Sequence, residues 1–186
     1  MFDHFNLLAP FYERVIPPPD SGRLKNILDL PISGRLLDAG GGTGRVSSSL
    51  RPYVDELILT DVSLGMLQQA KQKKLFTISL AHAESLPFPA ELFDRVLVVD
   101  ALHHFCDQEI AIAELLRVLK TGGRMVIEEP DLNRFRVKMI AVAEKVALMR
   151  SHFYAPEKIS EFVVGQGYSP RIERDDQITA WIVVDK

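Results

Sequence analysis

A glycine-rich segment near residue 40 constrains this chain more than any other feature. Asp38-Ala39-Gly40-Gly41-Gly42-Thr43-Gly44 closes the short apolar run Arg35–Ala39 and precedes a segment of helical character that reaches about Leu50. Glycine adopts backbone angles closed to other residues and lets a ligand approach the main chain. The N–H groups at a helix start offer partial positive charge to a carboxylate or phosphate. The segment therefore predicts a ligand-binding loop at the carboxyl end of a strand, and the simpler alternative is a tight turn.

The spacing of these glycines separates two classes of cofactor. The dinucleotide fingerprint is G-x-G-x-x-G/A, and a match begun at Gly40 fails because Arg45 occupies its sixth position. A match begun at Ala39 gives A-x-G-x-x-G, which is partial. The segment fits D-x-G-x-G-x-G better, with Gly40, Gly42 and Gly44 as its glycines. NAD-dependent chemistry is therefore the weaker alternative.

Strand-like and helix-like segments alternate along the rest of the chain. The predicted strands are Arg35–Ala39, Leu57–Asp61, Phe76–Leu80, Arg95–Val99, Arg124–Glu128, 169–174 and 178–184, and predicted helices begin near residues 22, 45, 63, 107, 133 and 156. The helix capped by Asp107 is expected to end near Lys120. Alternation favours an α/β fold with helices on both faces of a parallel sheet. The last two strands are too close in sequence for a crossover helix and predict an antiparallel hairpin. We expect a Rossmann-like doubly wound sheet of seven strands, mostly parallel, in a single domain spanning residues 1–186.

Composition excludes several classes of protein. The chain has 186 residues and a formal net charge of -3, which disfavours nucleic-acid binding because phosphate neutralisation requires a basic surface. Cys106 is the only cysteine, so an internal disulfide framework and a cysteine-based zinc site are excluded. No segment reaches the roughly 18 apolar residues of a membrane span, and residues 1–10 lack the pattern of a signal peptide. We expect a cytoplasmic protein, and the sequence does not indicate its oligomeric state.

Polar residues follow the predicted strands where ligands of doubly wound sheets bind. Asp61 ends the second strand, where a carboxylate can accept both hydroxyls of a ribose; its alternative role is a cap for the helix near Ser63. His82-Ala83-Glu84 follows the third strand and either frames a purine edge or forms a solvated loop. Asp100 and the pair His103-His104 follow the fourth. Adjacent histidines point in different directions, so we expect one to pack, the other to face the cleft, and no shared metal.

Four segments together resemble one known family. LLDAGGGTGRVSSSL, LILTDVSLGMLQQAKQK, AHAESLPFPAELFDRVLVVDALHHF and ELLRVLKTGGRMVIEEPD occur in the order and at about the spacing found in class I S-adenosylmethionine-dependent methyltransferases. They look most like the ubiquinone/menaquinone C-methyltransferase branch, the type 11 methyltransferases. The match covers about residues 34–130. Outside it, residues 1–20 resemble the family's N-terminal cap helix, and residues 131–160 a small cap on the acceptor side.

This resemblance implies a cofactor, S-adenosylmethionine, with S-adenosylhomocysteine as product and no metal. Asp38, Ala39, Gly40, Gly42 and Gly44 are then expected to hold the methionine end of the cofactor. Asp61 takes the ribose diol, Val62 lies against the adenine, and His82, Ala83 and Glu84 lie at the adenine edge. Asp100 faces the methionine end and the acceptor, and Tyr12 closes the site from above. His82 departs from the family, where an aspartate commonly accepts a hydrogen bond from the adenine amino group; a protonated imidazole cannot accept one.

The resemblance also implies transfer of a methyl group to a small-molecule acceptor, at oxygen or carbon, by in-line displacement. Such transfer depends mainly on proximity and alignment, an effect worth up to roughly 7–11 kcal/mol. A base is needed only if the acceptor loses a proton, and the candidates are His103, His104, Asp100 and Glu128, with the histidines preferred. The alternative function is a catalytically silent cofactor-binding subunit or regulatory partner.

Residues 133–149 combine positive charge with apolar positions at helical spacing. The segment contains one acidic residue, Glu144, and four basic residues, Arg134, Arg136, Lys138 and Lys145. One interpretation is a helix packed on the sheet with solvated charges outside. The other is a lid over the acceptor site that makes weak peripheral contact with an anionic membrane, as a lipophilic acceptor would favour.

Overall fold

The computed structural model describes residues 21–134, 137–138, 151–175 and 177–186. The expected N-terminal cap helix, with Tyr12, lies outside these residues, as does most of the expected helix over 133–149. Their proposed roles therefore stay predictions.

Seven strands form one sheet in the order β3-β2-β1-β4-β5-β7-β6. Strands β1 to β5 run parallel, whereas β7 is antiparallel to both β5 and β6. The predicted doubly wound, mostly parallel sheet with its terminal hairpin is thus confirmed. The strands are β1 Arg35–Ala39, β2 Glu56–Asp61, β3 Thr77–Leu80, β4 Phe93–Val99, β5 Leu119–Pro130, β6 Arg171–Arg174 and β7 Thr179–Asp185.

Helices cover both faces of the sheet because successive strand residues point to opposite sides. Leu97 belongs to one apolar cluster, while its neighbours Val96 and Val98 belong to the other. The helices are α1 Ser21–Ile27, α2 Arg45–Leu50, α3 Leu64–Lys73, α4 Gln108–Val118 and α5 Pro156–Gly165. The first three contribute to the cluster around Leu97, and the last two pack on the opposite face. None of these helices, which are those of the described ranges, is long and apolar enough to cross a bilayer.

The boundary between α4 and β5 differs from the prediction. Asp107 caps α4 as expected, since its Oδ1 accepts a hydrogen bond from the Ile110 N–H at 3.0 Å. The helix ends at Val118 instead of near Lys120, and β5 begins at Leu119 instead of Arg124. Leu119 pairs with Phe93, and the register then shifts so that Arg124 pairs with Arg95. Pairing with β4 therefore extends the strand through residues that look locally like a helix end.

The order of the strands positions a crevice. β1 lies between β2 and β4, so the connections that leave β1 and β4 diverge to opposite faces of the sheet. Such a switch point opens a cleft at the carboxyl ends of the strands. The glycine loop, Asp61 and Asp100 all follow the strands that border this cleft.

Candidate functional site

The glycine loop is fixed at its base and open at its tip. The N–H groups of Gly40 and Gly41 both donate to the Thr60 carbonyl, at 2.8 and 3.0 Å, which ties the loop to β2. A Cβ on Gly40 would lie 2.7 Å from the Ala101 Cβ, so this glycine is required by packing. Gly42 has φ +57, and a Cβ there would meet no atom within 4 Å. The loop therefore leaves space above Gly42 that a ligand can occupy.

Asp61 joins this loop to the start of α3. Its Oδ2 accepts from the Gly42 N–H at 2.9 Å, and its Oδ1 accepts from the Ser63 N–H at 2.8 Å. These two bonds hold the carboxylate at the edge of the cavity, beside Gly42. Ser63 occupies the N-cap position of α3 without a capping side-chain bond. Asp61 therefore contacts the start of α3, as its alternative role requires, and it also contacts the glycine loop.

A cavity opens above these residues at the carboxyl ends of β1, β2 and β4. It comprises about 730 Å³ of space not filled by atoms, part of it open to solvent. Of the predicted site residues, it brings together Gly40, Gly42, Asp61, Val62, His82, Ala83, Glu84, Asp100 and His104. Met66, Ala81, Ala101, Phe105 and Cys106 complete its lining.

A second, smaller cavity also borders the glycine loop. Asp38, Thr43, Arg45 and Asp100 contribute its polar side chains. Asp100 lines both cavities, so it stands where they meet. Arg45 and Thr43 were missed by the sequence reasoning, although an arginine directly after the last glycine of the loop was the available signal.

Ala39 and Gly44, which were predicted to bind the cofactor, line neither cavity. Ala39 is fully buried in the core. Gly44 has φ +74, and a Cβ on it would overlap the ring of Phe76. Both residues therefore shape the loop from behind, and a contact with a ligand is not supported for either.

Carboxyl groups dominate the charge around the glycine loop. Burial raises the pKa of Asp38 to about 6, although Ser47 Oγ donates to its Oδ2 at 2.5 Å. Burial, with the nearby Asp100 charge, raises the pKa of Glu128 to about 7, and the Trp181 indole N–H donates to its Oε2 at 2.6 Å. These two carboxyl groups bind protons near neutral pH, and a cation placed beside either of them would lower its pKa.

The loop after β3 contributes one exposed and one anchored side chain. The His82 side chain is 67% exposed, and its Nδ1 lies 3.9 Å from Glu84 Oε2. Glu84 Oε1 accepts from the Asp107 N–H at 3.1 Å, which joins this loop to the start of α4. Ala83 between them is buried. This edge of the cavity is therefore formed by the anchored Glu84, the buried Ala83 and the largely exposed His82.

The two histidines occupy different environments, in agreement with the prediction that one packs and the other faces the cleft. His103 is 4% exposed, and its Nδ1 lies 2.6 Å from Glu129 Oε2. His104 lines the cavity, and burial together with the adjacent His103 lowers its pKa to about 3. His104 is therefore neutral at physiological pH. Within the described ranges, no three His, Cys, Asp or Glu side chains are grouped as metal ligands.

Comparison with known proteins identifies relatives of this sequence. Residues 37–127 match a family model described as a methyltransferase domain. The chain is 34% identical over 128 residues to the uncharacterized methyltransferase YcgJ of Bacillus subtilis, which covers 62% of this chain and 51% of that protein. It is 32% identical over 139 residues to the ubiquinone/menaquinone biosynthesis C-methyltransferase UbiE of Syntrophotalea carbinolica, covering 67% of this chain and 59% of that protein. The chain thus spans little more than half the length of these relatives.

Solved structures share the fold. An S-adenosylmethionine-dependent methyltransferase from Thermotoga maritima, described as a possible histamine N-methyltransferase, superposes with a TM-score of 0.80 at 21% identity, covering 98% of this chain and 97% of that one. A methyltransferase in complex with the Trm112 methyltransferase activator from Haloferax volcanii superposes with a TM-score of 0.78 at 14% identity, covering 100% and 98%. At these identities the likeness concerns the architecture alone.

Proposed function

We propose that this chain transfers a methyl group from S-adenosylmethionine to a small-molecule acceptor, because residues 37–127 match a family model described as a methyltransferase domain. The observation that carries the proposal is the open position above Gly42, beside the Asp61 carboxylate, in a cavity at the switch point of the sheet. The ubiquinone/menaquinone relatives support an acceptor methylated at carbon, and methylation at oxygen is the second form of the same proposal.

The residues present fit the cofactor. In this proposal Asp61 accepts the ribose hydroxyls, while Val62, Ala83 and Glu84 border the adenine. The smaller cavity takes the methionine end, where Arg45 complements the carboxylate and Asp38 and Asp100 complement the ammonium group. Asp38 lines that smaller cavity, and Asp100 lines both. Bound S-adenosylmethionine supplies a methyl group on a positively charged sulfur, which is already an excellent leaving group.

Alignment is then the main contribution of the protein to the reaction. A bound acceptor approaches from the side bordered by Ala101, His104 and Phe105, which follow β4. His104 is the one of the two histidines that lines the cavity. Its low pKa makes it a weak base, so we assign it hydrogen bonding and orientation of the acceptor. His103 packs beneath this wall and is not assigned a contact with the reacting atoms.

Equilibrium binding tests the cofactor part of the proposal. S-adenosylmethionine and S-adenosylhomocysteine are expected to bind with one site per chain, and NAD is expected not to bind. At 100 times its dissociation constant, the cofactor should add about 2.7 kcal/mol to the free energy of unfolding. Binding of NAD without binding of S-adenosylmethionine would contradict the proposal.

Turnover tests the catalytic part. Transfer of a labelled methyl group is measured with a panel that includes soluble quinol analogues, phenols and amines, and the unreactive S-adenosylhomocysteine complex serves as the control. Cofactor binding without transfer to any acceptor, with or without added partner proteins, would favour the alternative of a silent binding subunit. Added partner proteins are included because a solved methyltransferase of the same architecture is in complex with the Trm112 activator.

Membrane contact and cytoplasmic location stay predictions. The basic segment that motivates membrane contact lies mostly outside the described residues. Sedimentation with anionic and neutral vesicles tests it directly. Binding to anionic vesicles alone, abolished by neutralising Arg134, Arg136 and Lys138 together, is the expected result.

A further inference from the structure

Glu129 is a buried carboxylate at the end of β5 that none of the proposed roles uses. Its side chain is 3% exposed. Oε1 accepts from the Ala101 N–H at 3.0 Å and from the Leu102 N–H at 2.7 Å. Oε2 lies 2.6 Å from His103 Nδ1. One side chain thus holds three consecutive residues of the turn that follows β4.

That turn forms one wall of the larger cavity. Asp100 begins it with φ +51, a conformation that non-glycine residues adopt at a cost. The Asp100 N–H donates to the Glu128 carbonyl at 2.9 Å. Ala101 and Phe105 fill the space that a side chain on Gly40 would need. The wall is therefore strained at its start and pressed against the glycine loop, so its position depends on the groups that hold it.

His103, the partner of Glu129, also connects this wall to residues 151–153. The His103 ring stacks on Phe153 with centroids 4.1 Å apart, and the His152 N–H donates to the His103 carbonyl at 2.8 Å. Ser151 Oγ lies 3.3 Å from His104 Nδ1. Gln108 Nε2 donates to the His152 carbonyl at 2.6 Å, which fastens the segment to α4. Residues 151–153 are thus held against the back of the turn through His103.

We propose that Glu129, acting through His103 and two backbone N–H groups, is a positioning residue that holds Asp100 and His104 in place on the cofactor cavity. The inference rests on the proposed function for the identity of the ligand. An apolar side chain would fill the same volume but would leave three buried donors without an acceptor, so packing alone does not explain a carboxylate here. The cofactor is expected to contact the cavity side of this turn, whereas Glu129 holds the turn from its buried side. Glu129 therefore contributes to binding indirectly.

Three variants separate positioning from general stability. Glu129→Ala removes all three acceptor contacts. Glu129→Gln keeps an oxygen for the two N–H groups and offers an amide N–H to the unprotonated Nδ1 of His103. Asp131→Ala is the matched control, because Asp131 is also a buried carboxylate directly after β5, but its donors, the Asn133 N–H and Arg174 Nε, lie outside the turn that follows β4.

Titration calorimetry with S-adenosylmethionine gives the first readout, below the unfolding transition of each variant. Glu129→Ala is expected to weaken binding about tenfold or more, Glu129→Gln to stay within about threefold of the parent, and Asp131→Ala within about twofold. Equal losses in Glu129→Ala and Asp131→Ala would overturn the proposal. If Glu129→Ala does not fold, Glu129→Asp replaces it, since the shorter side chain cannot reach all three donors; its affinity should then fall below that of Glu129→Gln.

Histidine ring signals give a readout that needs no ligand. The His103 ring proton that bonds Glu129 is expected to be shifted downfield and protected from exchange in the parent chain, and to move in Glu129→Gln. Exposed His82 is the internal control. An unprotected His103 ring in the parent would overturn the inference. If the parent chain binds no S-adenosylmethionine, the proposed function fails. The His103 ring signal still tests whether Glu129 holds the turn that follows β4.

Discussion

Gly42→Ala is the sharpest test of where a ligand lies. Gly42 has φ +57 and an open Cβ position, so the added methyl group meets no protein atom but enters the space above the loop. Gly122 has φ +80 and an equally open Cβ position, and it lines neither cavity. Gly122→Ala is therefore a matched control, because both substitutions impose the same kind of backbone strain and only one alters the cavity.

The two variants should share a stability loss and differ in binding. An L-residue in the left-handed region costs about 1–2 kcal/mol, so the free energy of unfolding should fall by about that amount in each variant. A methyl group inserted into a filled contact costs about 1–3 kcal/mol. The dissociation constant for S-adenosylmethionine should therefore rise about 5- to 150-fold in Gly42→Ala and stay unchanged in Gly122→Ala.

Denaturant unfolding without ligand gives the stability loss, and titration calorimetry with S-adenosylmethionine and S-adenosylhomocysteine gives the affinities. Both affinities should fall together in Gly42→Ala, since the two ligands share every part except the transferred methyl group. An unchanged affinity in Gly42→Ala, beside a stability loss equal to that of Gly122→Ala, would refute the reasoning. It would mean that the ligand does not approach the loop at its tip.

Three further predictions concern individual side chains and pH. Asp61→Ala should weaken S-adenosylmethionine binding by about 1.5–3 kcal/mol, since hydrogen bonds to a charged acceptor are lost. The exposed Asp55→Ala variant is the control. A calorimetric affinity of Asp61→Ala equal to that of the parent would mean that Asp61 only supports the loop. His82→Asp should bind the cofactor at least as tightly as the parent, since a carboxylate can accept a hydrogen bond from the adenine amino group, and a weaker complex at every pH from 5 to 8 would contradict this. The raised pKa values of Asp38 and Glu128, about 6 and about 7, mean that the folded chain binds more protons than the unfolded chain between about pH 4 and 7. The contribution of these two groups to the free energy of unfolding should therefore fall as pH rises across that window, by roughly 3 kcal/mol for Asp38 taken alone. Denaturant unfolding at several pH values should show the fall, and Asp38→Asn should flatten it; an unchanged slope in that variant would assign the effect elsewhere.

The sequence was sufficient for the sheet and for the location of the cleft. Apolar runs of strand length, separated by capped helices, predict the alternation, and the short connection 175–177 predicts the antiparallel hairpin. The glycine loop and Asp61 could be assigned to the same edge because the carboxyl ends of parallel strands meet there. The beginning of β5 could not be predicted, because Leu119 becomes a strand residue only through pairing with Phe93.

The candidate site also combines features that the sequence predicts with features that only the tertiary structure decides. The sequence suggested Gly42, Asp61 and Asp100 because each lies at or just after the end of a strand, and the family resemblance added Asp38. The sequence also predicted that one histidine packs and the other faces the cleft. Only the tertiary structure decided that His103 is the packed one, because its partner Glu129 lies 26 residues away on another strand. Local spacing records which residues end a strand, whereas burial, the pKa of a carboxyl group and the acceptor for a backbone N–H depend on chain segments brought together by folding.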